Sequence, residues 1–172
     1  MSKFFLYSTL LFLAFLLVVF VAACSNVSRN IQQDKKVKIT KYVYRYGDRS
    51  VPPDYHRSYS IEVSADTTVF TVSTYDEVLL RKTYCQNKLA EIETTLNGMD
   101  IELKKEKKSA CSGGYSETLL KYSQSEIVFN GYVYHCDGES GTLHVGNGDL
   151  SSVFKAVVPE SVDSLINETR LI

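Results

Sequence analysis

Tryptophan is absent from the 172-residue chain, proline occurs three times and cysteine four times. Without the largest aromatic platform, a sugar-stacking surface is disfavoured. Neither sign of charge dominates: 19 basic side chains face 20 acidic ones, for a formal net charge of −1. That balance leaves no electrostatic footprint for nucleic acid. Metal chemistry has little to start from, because His56, His135 and His144 are scattered and there is no Cys-x-x-Cys pair. The run Asp137-Gly138-Glu139-Ser140-Gly141 lacks the ligand spacing of a calcium loop. A glycine-rich phosphate loop, a paired-carboxylate spacing and a Gly-x-Ser-x-Gly elbow are all missing, so neither a cofactor nor a catalytic residue is assigned. No internal repeat is visible.

What the chain does have lies first at its start. Lys3 is the only charge before Arg29, and Phe4 to Ala23 is apolar except for Tyr7, Ser8 and Thr9. A positive beginning, an apolar stretch and small residues at its end make a secretory signal. Twenty such residues are also long enough to span a bilayer, at ~1.5 Å of rise each. The cysteine directly after Ala22-Ala23 decides for the signal.

The quartet Val21-Ala22-Ala23-Cys24 resembles the lipobox of bacterial lipoproteins. The resemblance covers residues 1–25 alone; beyond them the chain resembles no named family. It implies a signal peptide at 1–23, cleavage before Cys24 and a diacylglycerol thioether on Cys24. It also implies acylation of the new amine, with two or three chains holding where one would not. Membrane is then the first partner, and the domain sits outside the cytoplasm. Ser25 after the lipidated cysteine implies outer-membrane delivery in a diderm organism of the enteric type. No acidic run follows Cys24, which favours a periplasm-facing domain. Residues 24–36 are polar beyond the cysteine and read as a flexible tether.

Cleavage there removes 23 of 172 residues and leaves 149, with 18 basic and 20 acidic side chains, since Lys3 is the only charge lost. One domain of that size, 37–172, can bury its own core. Export makes disulfides permissible. Cys111 and Cys136 lie in glycine-flanked, loop-like stretches bracketing a hairpin and form the preferred pair. A bridge closing that loop contributes about 3 kcal/mol if unstrained. Cys85 is expected to be a small buried hydrophobe rather than a reactive thiol.

Along the domain, Val37 to Tyr46 alternates, with Tyr42, Tyr44 and Tyr46 on one face, and is expected to be covered on both faces. Tyr59, Ile61 and Val63 mark a half-buried strand, followed by strands at 68–74 and 78–84 in an antiparallel meander. The period then changes: Leu89, Ile92 and Leu96 predict a helix over 86–97 with Gly98 just past its end. Ile101 and Leu103 suggest a short strand before Lys104 to Ser112 loops out. A hairpin over 117–122 and 126–134 follows, with Gly131 mid-strand where a bulge or a close contact is the usual reason. His135 to Gly148 reads as a glycine-rich loop with a short strand at 142–145, and Asp149 as the N-cap of a helix over 150–158. Residues 161–168 add a further helical turn or two. The fold class is α+β: an antiparallel sheet of five to seven strands with helices packed on one face.

Several stretches suggest function. Tyr55 and His56, after the stiff Pro52-Pro53, are the candidate contact residues for a partner, because rigid loops carry function more often than sheets. The tyrosine stripe of residues 42, 44 and 46 reads as core rather than as a stacking surface. His135 and Cys136 invite a thiol-enzyme reading, but sequence neighbours seldom point at each other, and the disulfide is preferred. Lys104 to Lys108 reads as a solvated hairpin tip, with contact to anionic lipid as the alternative. The leading expectation is a non-catalytic lipoprotein that binds or shields an envelope protein or polymer. The alternatives are an envelope hydrolase or thiol enzyme built on the His135/Cys136 loop or on Cys85, and a structural envelope component.

Overall fold

The computed structural model describes residues 37–49, 51–108 and 113–170, and Lys38–Ile172 forms a compact unit by itself. The proposed lipid site at Cys24, the tether and Cys111 lie outside the described residues. The fold is α+β, with one antiparallel sheet of eight strands where five to seven were expected. The strands are β1 (Lys41–Asp48), β2 (Ser58–Ser64), β3 (Thr67–Ser73), β4 (Val78–Cys85), β5 (Ile101–Lys107), β6 (Tyr115–Ser123), β7 (Glu126–His135) and β8 (Glu139–Val145). Among the described residues, three α-helices complete it: α1 (Leu89–Asn97), α2 (Leu150–Lys155) and α3 (Val162–Glu168).

Spatial order is β4-β3-β2-β1-β6-β7-β8-β5. Two meanders thus meet at the β1–β6 pair, where Tyr44 opposes Leu119. The segment containing α1 carries the chain from one edge of the sheet, β4, to the other, β5. The extra strand content comes from two places. β5 runs on through Lys107, so the expected loop after Leu103 is strand over residues 104–107. β8 begins at Glu139 rather than Thr142, because Ser140 and Gly141 pair with Tyr134 and Val133.

Strict alternation sorts the side chains. In β2, Tyr59, Ile61 and Val63 are withdrawn from water while Ser58, Ser60, Glu62 and Ser64 are half-buried. Across the ladder, Ile61 opposes Tyr44 on one side and Phe70 on the other, so one face collects the bulky residues. Onto that face pack Ile92 and Leu96 of α1, Leu150 and Phe154 of α2, and Val162 and Leu165 of α3. Phe154 stacks on Tyr44 with ring centroids 5.1 Å apart and planes 15° apart. Tyr42 and Tyr44 are therefore core, as their area favours. The second face of β1 is covered at Val43, which is buried with its neighbour Leu120, although both lie outside the helix-covered cluster and Arg45 beside them is exposed.

Helix ends follow the local chemistry. The Asp149 carboxylate accepts from the Ser151 and Ser152 amides at 3.1 Å, and Ser161 Oγ accepts from the Ser164 amide at 3.3 Å. After α1 the left-handed residue is Asp100 (φ 51), not Gly98, whose φ is −85. Gly131 has the steric reason expected of it: a Cβ there would stand 2.9 Å from methyl groups of both Leu103 and Leu143. Cys85 departs from expectation. It closes the edge strand β4 as an exposed, free thiol, because an edge has no neighbouring strand to cover it.

Candidate binding site

The β1–β2 connection folds into a 3-10 turn at Pro53–Tyr55, and one side chain holds it there. Arg57 Nη1 donates to the carbonyls of Asp54 (3.1 Å) and His56 (2.8 Å). Its Nη2 donates to the Thr169 carbonyl (3.0 Å) and its Nε to Thr169 Oγ1 (3.2 Å). A planar guanidinium spends four donors joining the loop to the end of α3, a geometry that a lysine could not supply. The loop is thereby fixed without a packed core of its own.

Of the two residues expected to be contact residues, the loop displays only one. Tyr55 is 70 % exposed, whereas His56 is 3 % exposed. His56 is an anchor: its ring stacks on Tyr75 at 3.7 Å, and its Nε2 lies 3.0 Å from Ser58 Oγ. Burial, helped by Arg57, lowers its pKa below the usual 6.5, against the pull of Asp48. A buried imidazole that prefers to be neutral suits a structural position, so its assignment as an exposed contact is corrected.

Beside this loop lies a cleft of about 360 Å³. Tyr46 and Tyr59, stacked at 5.0 Å, line its sheet side, and Ser151, Lys155, Asp163 and Asn167 line its helix side. Burial raises the Tyr46 phenol to about 12, with Asp48 and neighbouring tyrosines adding to the effect. The hydroxyl therefore remains a neutral donor at ordinary pH. Lys155 Nζ pairs with Asp163 at 3.1 Å and stands 5.9 Å from the Tyr59 ring centroid. Aromatic walls with a few oriented polar groups are the usual composition of a ligand cleft.

Beneath the aromatic wall is a polar cluster with no local signature in the residues. Glu117 on β6 is 8 % exposed on the helix-covered face. Tyr44 Oη donates to its Oε1 at 2.6 Å, and the His135 Nε2–H donates to its Oε2 at 2.9 Å. Burial, then Tyr59 and Glu117, hold the Tyr44 phenol well above its ordinary pKa, so it keeps the proton it donates. His135 stacks on Tyr115 at 4.4 Å, and Tyr115 on Tyr46 at 5.4 Å, which links this cluster to the cleft wall. Two hydrogen bonds offset the desolvation of the carboxylate. The register alone brings these groups together, since Tyr115 opposes His135 and Tyr46 opposes Glu117.

The expected bridge of Cys136 involves Cys111, which lies outside the described residues. Cys136 follows His135 at the end of β7, and its amide donates to the Gly138 carbonyl at 3.0 Å. Among the described residues, no group of three or more His, Cys, Asp or Glu side chains is placed to hold a metal ion. No protein-family model matches the chain, and neither does any curated protein or solved structure.

Proposed function

We propose that the protein is a lipoprotein, acylated at Cys24, whose domain is a non-catalytic module that binds or shields a protein or polymer of the cell envelope. The observation carrying this reading is the Arg57-clamped loop, which presents an exposed Tyr55 while Arg57 itself lines an aromatic-walled cleft. A rigid loop loses little conformational entropy on binding, so an exposed tyrosine there is worth more than one on a mobile segment. In this reading the chain faces the periplasm from the outer membrane of a diderm organism, and a Cys111–Cys136 bridge staples the domain.

A photo-crosslinking phenylalanine analogue placed at position 55 of the full-length chain tests the binding surface in intact cells. A discrete adduct is expected from position 55, and none from Glu126 at the start of β7. The adduct should be lost with Arg57→Met. Repeated preparations without an adduct at 55 would sink the reading. Metabolic labelling with a palmitate analogue tests the anchor: label should appear on the chain and vanish with Cys24→Ser.

One observation favours the runner-up, an envelope hydrolase or thiol enzyme. His135 and Glu117 are already in acid–base contact at 2.9 Å, beside Cys136 in sequence. Thiol labelling of the folded, unreduced protein separates the two readings. Modification of Cys136 would remove the bridge and raise the enzyme.

A further inference from the structure

A further cleft, of about 430 Å³, opens where β5 meets β8 at the edge of the sheet. Its rim departs from strand geometry. Leu103 opposes Leu143, but Lys107 opposes Gly141, so four steps on β5 match two on β8. In a regular strand Lys104 and Lys105 would point to opposite faces. Here the irregular register lets Lys104, Lys105 and Lys107 all line the same cleft. Lysines that merely guard an edge strand against aggregation need no such convergence.

The neighbouring acids are largely occupied. Glu102 pairs with Lys104 at 3.1 Å, and Glu106 accepts from Tyr132 Oη at 2.6 Å. Glu139 lies on the cleft wall with His135 Nδ1 4.0 Å from its carboxylate. Lys105 and Lys107 have no partner among the described residues. Ser140, 9 % exposed, and His144 add hydrogen-bonding groups, while Val133 and Leu143 form an apolar floor. Gly141 (φ 118) brings β8 against β7, since any Cβ there would strike the Tyr132 carbonyl oxygen.

We propose that this cleft is an anion site that takes a phosphate-bearing group, whether carried on a lipid headgroup or free in solution. The donor set selects the chemistry. The ammonium groups of Lys105 and Lys107, with Lys104 shared with Glu102, are point charges suited to a tetrahedral oxyanion, and the lining holds no arginine fork for planar bidentate capture of a carboxylate. The site is independent of the Tyr55 surface and stands whether or not that surface binds a partner.

Lysine acylation rates, read residue by residue by mass spectrometry, test it on the full-length protein. In neutral detergent, inorganic pyrophosphate is compared with chloride at equal ionic strength. In vesicles, phosphatidylglycerol-rich membranes are compared with phosphatidylcholine alone. Slowing of Lys105 and Lys107 by about fivefold, with Lys88 unchanged, is expected in at least one arm. Slowing by pyrophosphate identifies a free anion, and slowing by anionic vesicles alone identifies a headgroup. No slowing in either arm, or equal slowing at Lys88, overturns the proposal. Lys107→Gln should relieve the protection of Lys105, and unchanged protection there overturns the shared cleft.

Discussion

On the β1–β3 side of the sheet, Tyr44, Ile61, Phe70 and Val72 are withdrawn from water entirely, whereas on the β5–β8 side Leu103 remains 50 % exposed. Both sides use the same antiparallel ladder and the same alternation. The difference is what lies on top. The helices bring Phe154, Leu165, Ile92 and Leu96 into the cluster around Tyr44. The far side fills its space with Leu143 and the leucine of β5, over the glycine at 131, and then opens into a lysine-lined cleft. Packing density and charge density thus separate along one sheet. The packed half supplies stability and a firm base for the Tyr55 loop, and the open half has room for a charged ligand.

The contrast can be broken by comparing truncations. Phe154→Ala should cost about 3–5 kcal/mol in denaturant unfolding, because it empties the stack on Tyr44. Leu103→Ala, at a half-exposed site, should cost under about 1 kcal/mol. Equal losses would mean that the two positions do not differ in packing as their burial implies.

Next in size is the polar cluster. Tyr44→Phe removes the donor to Glu117 Oε1 while keeping the ring, and should cost about 1–3 kcal/mol through the unsatisfied carboxylate oxygen. If that oxygen were hydrated in the native state, the loss would fall well below this range. Asp149→Ala should cost about 1 kcal/mol by uncapping α2, measured in the same unfolding series. No change would show that tertiary packing alone holds the helix.

The smallest expected effect is on pH. His56 has its pKa lowered in the fold, chiefly by burial, so the unfolded chain binds the proton more readily than the native one. Its contribution is complete above about pH 6.5 and declines as pH falls below that value. Melting temperatures of the wild type and of His56→Phe should therefore diverge with pH across that window. Parallel curves would show that the ring accepts a proton in place.

Much of the architecture was legible in the residues. The spacing of Tyr59, Ile61 and Val63 fixed a strand and its buried face, and Leu89, Ile92 and Leu96 fixed a helix, because burial selects by period. Asp149 was legible as a cap because a carboxylate before an apolar run satisfies free amides. Lys104 to Lys107 misled, since charged residues on an exposed edge strand look like a loop when pairing is invisible. His56 misled because polarity suggested the surface, while a single stack on Tyr75 and a bond to Ser58 buried it. Glu117 was silent: nothing around Ser116-Glu117-Thr118 distinguishes a buried carboxylate from a solvated one.

By itself the sequence determined the alternation that builds the sheet and the period of the amphipathic helix, and it carries an apolar run whose Ala22-Ala23-Cys24 ending resembles a lipidation signal. Those are local properties, set by period and by neighbours in the chain. Tertiary structure alone decided which polar residues meet. Strand register set Tyr44, Glu117 and His135 in contact across separations of 73 and 18 residues. It also gathered three lysines of one strand around one cleft. Register depends on pairing between distant strands, and no local pattern encodes which side chains that pairing will oppose.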